Sequence, residues 1–133
     1  MTREEMEEFF GAPISVYTRA QAIADGVLVD VTTVAREAGF TIPFAVTQTV
    51  QGMLNNIPAH LQGIASYQGR LWDLLMLARH AVAQHGGRGG DRLPFTFSLP
   101  TSGTRKQNVT LHLHIGGGDD GSPCLTAMTE TED

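Results

Sequence analysis

His112 and His114 are the residues whose types and spacing most directly suggest chemistry. They lie in NVTLHLHI, an alternating segment in which residues two apart share one face of a strand. Two imidazoles on one face suit a zinc ion, which takes nitrogen and sulfur donors and needs at least a third protein ligand. Asp119, Asp120 and Cys124 follow closely enough to offer one. The plainer reading makes Thr110, His112 and His114 the outward polar positions of a half-buried strand, with Val109, Leu111, Leu113 and Ile115 inward. On that reading neither a metal nor any other cofactor is expected. His80 and His85 are five residues apart, hence on different faces of a helix, and His60 stands alone.

Other motifs weaken when their context is read. GGRGG (86–90) has the glycines of a phosphate-binding loop, but it leads out of a helix toward a strand and lacks the following Lys and Ser or Thr. GGGDDG (116–121) lacks the spaced ligands of a calcium loop and reads as a β-turn. There is no G-x-S-x-G elbow for a serine nucleophile. The one cysteine, Cys124, falls in an apolar strand and reads as a small core residue. No pair of carboxylates suited to acid–base work stands out, so no catalytic residue is assigned. Arg19, Arg70, Arg79, Arg88, Arg92, Arg105 and Lys106 are scattered; a phosphate or nucleic-acid site would require several to converge.

Charge is distributed unevenly along the 133 residues, whose net charge is −5. Residues 1–10 and 119–133 hold nine of the fourteen acids, among them Glu4, Glu5, Glu7, Glu8, Asp119 and Asp120. The intervening stretch carries eight bases against five acids. Acidic ends serve solubility, or compete for a positively charged groove on a partner. The net charge opposes nucleic acid as a direct ligand. The first residues lack the basic start and apolar run of a signal peptide, and no apolar run spans a bilayer. A cytoplasmic protein with no membrane association is therefore expected, its oligomeric state left open.

The elements that position these residues follow from periodicity. Residues 1–12 form an acidic arm in which Met6, Phe9 and Phe10 share a stripe. Residues 13–129 form a single α+β domain, and 130–133 an acidic tail. Thr18 is placed to cap a short helix over Arg19 to Ala24, closed by Gly26 in a left-handed conformation. Val27 to Asp30 suits a small strand, and Asp30 a cap for a helix carrying Val31, Val34, Ala35 and Ala38. Thr41-Ile42-Pro43 reads as a further helix start, continued by Val46, Val50, Met53, Leu54 and Ile57. A long helix near 69–85 carries Leu71, Leu74, Leu75, Ala78 and Val82 on one face. Trp72, Met76 and Leu77 widen that apolar arc, which predicts a central helix buried on several sides. LPFTFSLP, NVTLHLHI and Cys124 to Met128 then predict three strands. Helices first and strands after imply N-terminal helices packed on a C-terminal three-stranded antiparallel sheet.

Tyr17-Thr-Arg-Ala-Gln-Ala-Ile-Ala-Asp-Gly-Val-Leu-Val-Asp30, followed by AREAGF (35–40) and PFAVT (43–47), resembles a family of small proteins carried on bacterial plasmids, integrative elements and phages. The family is a domain of unknown function with the signature Y-T-R-x-Q-A-I-x-D-G-V-L-V-D. The likeness extends through GRLWD (69–73) into D-x-G-x-P (119–123), and departs at Gln51-Gly52, where a bulky aromatic is expected. The resemblance implies a mobile-element accessory protein, and such proteins often counter host defences by binding an effector complex. The leading expectation is a non-enzymatic interaction module, an anti-CRISPR-like inhibitor whose partner is a host or phage protein complex. Two other classes stay open. One is a small nucleotide-binding protein or ADP-ribosyltransferase-like enzyme, since Tyr17 and Arg19 resemble the opening of such folds without their His and Glu partners. The other is an architectural nucleic-acid binder. Within the signature, helix, cap and core account for most residues; Tyr17, Arg19, Gln21 and Asp25 are not demanded by scaffold logic and are the candidate binding positions.

Overall fold

Arg19 opens the first helix of the described residues because Thr18 before it is a working N-cap. The Thr18 hydroxyl accepts from the Gln21 N–H at 3.0 Å while the Gln21 side chain accepts from the Thr18 N–H at 2.9 Å, a reciprocal capping box. The computed structural model describes residues 17–85, 92–102 and 105–132. Helix α1 (Arg19–Ala24) ends at Gly26, whose φ of 80° is the left-handed closure the sequence calls for. Strand β1 (Leu28–Asp30) follows. Asp30 then accepts from both the N–H and the hydroxyl of Thr32, but the N-cap of α2 (Thr32–Glu37) is Val31, one residue later than the sequence suggests, with no side-chain cap bond.

Phe44 to Thr47 form strand β2, not the continuing first turn of a helix. All four residues are buried, so the segment has no period-two alternation to betray it. A short, fully buried apolar run looks the same as a helix start by periodicity. Thr47 then caps α3 (Gln48–Asn55), its hydroxyl accepting from the Val50 N–H. A 3₁₀ turn (Ala59–Leu61) leads to α4 (Tyr67–His85). The long hairpin β3 (Arg92–Ser102) and β4 (Arg105–Gly117) and the last strand, β5 (Pro123–Thr129), complete the chain.

The fold is α+β, but among the described residues the sheet is five-stranded and mixed rather than three-stranded and antiparallel. Its order is β1-β2-β5-β4-β3. The β1–β2, β5–β4 and β4–β3 pairs are antiparallel, while β2 and β5 run parallel, with Phe44 opposite Leu125. The two N-terminal strands extend the expected sheet beyond β5.

One face of this sheet carries the main core. Phe44, Val46, Phe95, Phe97, Leu111, Leu113, Leu125 and Ala127 meet Ala35 of α2, Val50 and Leu54 of α3, and Leu71, Leu74, Leu75 and Ala78 of α4. Phe40 meets the Phe44 ring edge-on at 5.0 Å. Two arginines of α4 tie the preceding helices down. Arg70, buried, donates from Nη1 to the carbonyls of Met53 and Asn56 at 3.1 Å each. Arg79 donates to the Ala38 carbonyl at 3.1 Å. Each places a cation where a helix presents unpaired carbonyls and the negative end of its dipole.

Two expectations are corrected within this core. Helix α4 is not buried on several sides: Trp72, Met76 and Leu77 are 39%, 39% and 38% exposed. It covers the sheet with one face and turns the opposite arc outward. Ile115 is 40% exposed rather than inward, because among the described residues β3 begins opposite His114 and supplies no partner to Ile115.

Candidate functional site

Residues Tyr17 to Asp25 meet the β4–β5 turn and β5 on the face of the sheet away from the main core. Arg19 crosses to β5, where its guanidinium donates to the Thr126 hydroxyl at 2.7 Å and the Leu125 carbonyl at 2.8 Å. Asp119, in the β4–β5 turn, accepts the N–H of Arg19 at 2.7 Å and that of Ala20 at 3.0 Å, one on each carboxylate oxygen. A carboxylate there also complements the positive end of α1. Gln21 is committed to the capping box. The Tyr17 hydroxyl donates to Asp25 at 2.7 Å. That bond, with smaller contributions from desolvation and from the Asp25 charge, raises the Tyr17 pKa.

The four candidate positions are thus brought together with Asp119, and each side chain has an intramolecular partner. Asp120 is exposed and bonds within its own turn, accepting the Ser122 N–H at 2.9 Å. That bond holds its carboxyl below the ordinary range. Glu4, Glu5, Glu7 and Glu8, the arm 1–12 and the GGRGG segment lie outside the described residues.

Beside Arg19 an open cleft of about 360 Å³ runs along the same sheet face. Thr47, Gln48, Thr49, His114, Thr126 and Glu132 supply its polar lining; Val27, Leu28 and Met128 the apolar part. Glu132 is anchored at its rim. One carboxylate oxygen accepts from the Thr47 hydroxyl at 2.9 Å, the Thr129 N–H at 2.9 Å and the Thr129 hydroxyl at 3.0 Å. Partial burial pushes the Glu132 carboxyl up, but these bonds and one from Thr49 outweigh it and leave its pKa lowered. The acidic tail 130–133 therefore contributes a residue tied into the fold.

His112 and His114 do share this face of the sheet, paired with Met128 and Thr126. His114 lines the cleft, and its ring lies so near Gly116 that a Cβ there would fall 2.9 Å from it. His112 Nδ1 is buried and makes no hydrogen bond. Among the described residues no three His, Cys, Asp or Glu side chains are grouped to hold a metal. Arg19, Arg70 and Arg79 do not converge: the Arg19 guanidinium reaches β5, Arg70 lies at the end of α3 and Arg79 at the end of α2.

Sequence reasoning missed Thr47, Gln48, Thr126 and Glu132 as cleft residues. Nothing local marks them, because parallel pairing of β2 with β5 is what assembles the cleft. It also placed Trp72 and Met76 in the core. Their separation by four residues, at the edge of an already complete apolar face, was the available signal for an outward ridge. No helix among the described residues is long and apolar enough to cross a membrane. Protein-family models, curated proteins and solved structures offer no match to this chain.

Proposed function

We propose that this chain is a non-enzymatic protein-interaction module whose contact surface is the outer face of α4. The observation that carries the reading is the ridge of Trp72 and Met76. They lie one turn apart on the helix and are each 39% exposed. Leu77 widens the apolar surface, and exposed Asp73 and His80 lie on the same outward arc. Tryptophan and methionine are enriched at protein interfaces and depleted where a helix faces only water. The occupant that fits is an apolar groove on another protein, engaged as an amphipathic helix engages a groove.

The nature of the partner rests on the resemblance carried by residues 17–30. It makes the chain an anti-CRISPR-like inhibitor from a mobile element, acting in the bacterial cytoplasm on a defence effector complex. Nucleic acid is not its direct ligand. The test is plating efficiency of a targeted phage on a host with an active defence system. Expression of the wild type should restore plating, and Trp72→Glu with Met76→Glu should abolish the effect while leaving thermal stability nearly unchanged. Inhibition undiminished in the double variant, or absent in the wild type across defence types, contradicts the proposal.

The cleft beside Arg19 favours a second reading, binding of a small polar ligand. Its volume lies within the range of about 300–1,000 Å³ common to ligand pockets. Glu132 at its rim disfavours a phosphate, so a neutral or cationic ligand is the better fit. A thermal-shift screen of nucleosides, nucleotides and amines tests this, because a ligand of the native state raises the melting temperature. No shift with any of them removes the reading.

A further inference from the structure

Strand β3 is an edge strand of eleven residues, and among the described residues no strand lies beyond it. Long open edges are normally blunted, because their unpaired N–H and C=O groups template pairing with another chain. The direction of those groups follows from the ladder. Leu125 donates its N–H to the Pro43 carbonyl at 2.8 Å, so its main chain faces β2. Successive residues of a strand turn their N–H and C=O to opposite sides. Thr126 and Met128 therefore face β4, and their partners His114 and His112 face β5. Val109, Leu111 and Leu113 are left to bond β3 through Phe97, Phe95 and Leu93. On β3, Pro94, Thr96, Ser98 and Pro100 consequently turn their main chain outward.

This outer edge has a symmetric pattern. Pro94 and Pro100, which lack an N–H, each stand three residues from Phe97. Between them, Thr96 and Ser98 each turn one main-chain donor and one acceptor outward, with no partner among the described residues. We infer that β3 pairs with β3 of a second copy of this chain, antiparallel about a two-fold axis at Phe97. In that register Thr96 of one copy exchanges both hydrogen bonds with Ser98 of the other, and the reverse pair repeats them. Pro94 falls opposite Pro100, so no donor is stranded at either end. A heterologous strand gains nothing from this symmetry, whereas an isologous contact requires it.

Residues opposite each other in an antiparallel pair lie on one face of the sheet. The two copies of α4, each packed over its own β3, therefore lie on the same side of a continuous ten-stranded sheet. The pairing is independent of the proposed α4 contact; if both hold, the dimer presents two ridges to one assembly and gains avidity.

Light scattering of the full chain and residue-resolved hydrogen exchange test the inference. The expected result is a mass twice 14.3 kDa, with the outward Thr96 and Ser98 amides protected together and both amides deprotected as dilution dissociates the dimer. Ser98→Pro removes the outward N–H together with the exposed Ser98 hydroxyl's bond to Asn108 Oδ1, but no main-chain bond of the β4 ladder, so it should halve the mass while leaving that ladder protected. If that variant fails to fold, Thr96 and Ser98 protection in the wild type decides alone. A monomer at every accessible concentration overturns the inference. So does a dimer whose Thr96 and Ser98 amides exchange freely, or one that survives a folded Ser98→Pro.

Discussion

Asp119 caps a helix that begins a hundred residues before it, and so fixes the β4–β5 turn against α1. Asp119→Ala leaves the Arg19 and Ala20 N–H groups without that partner. The expected loss is about 1 kcal/mol, the usual cost of a deleted cap, read as a lower midpoint in urea. Glu132 makes a comparable tie with the opposite sequence polarity, from the C-terminal tail back to Thr47. Its pKa is lowered on folding, so its contribution is present above the unfolded carboxyl value of about 4.5. It is lost as pH falls through the lower folded value. Glu132→Gln should therefore destabilise at neutral pH by about 1 kcal/mol, a figure already reduced for solvent screening. The deficit should disappear in acid, and a pH series of denaturation midpoints for both proteins checks the sign. The candidate positions Tyr17, Arg19, Gln21 and Asp25 were legible as polar residues grouped by one signature. The bonds of Arg19 to Thr126 and Asp119 were not, because a residue's partner a hundred positions away leaves no periodic trace.

At the scale of elements, helices and the hairpin are written in local grammar and β2 is not. Thr18, Gly26 and the alternating Leu93, Phe95, Phe97 and Leu99 announce α1, its end and β3. Phe44–Thr47 has neither period, being buried on both faces between β1 and β5. The two glycines that end helices separate backbone cost from packing cost. Gly26 has φ 80° and open space around a notional Cβ. Gly39 has φ 105°, and a Cβ there would lie 3.0 Å from the Arg79 guanidinium carbon that caps α2. Gly26→Ala should cost about 1 kcal/mol from backbone strain alone. Gly39→Ala should cost more, since Arg79 must also shift; thermal denaturation of the two variants side by side gives the difference. Arg70→Met keeps the apolar packing but leaves the Met53 and Asn56 carbonyls without their cation. It should lose about 2–3 kcal/mol in the same assay.

For the whole molecule, the apolar residues divide into those that close the sheet and those left over. Leu71, Leu74, Leu75 and Ala78 complete the core beneath α4. Trp72 and Met76 then keep 39% of their surface uncovered by the described residues, and sequence alone assigned them inward because an apolar arc reads as burial whichever molecule supplies the other side. Quantitative affinity capture is the most direct measurement of what covers them. Tagged wild type and the Trp72→Glu, Met76→Glu variant, matched for melting temperature, are each used to capture partners from a host expressing its defence effector. The expected result is stoichiometric recovery of effector subunits by the wild type and their loss with the variant. Equal recovery by both proteins, or recovery by neither, would contradict a contact made through α4.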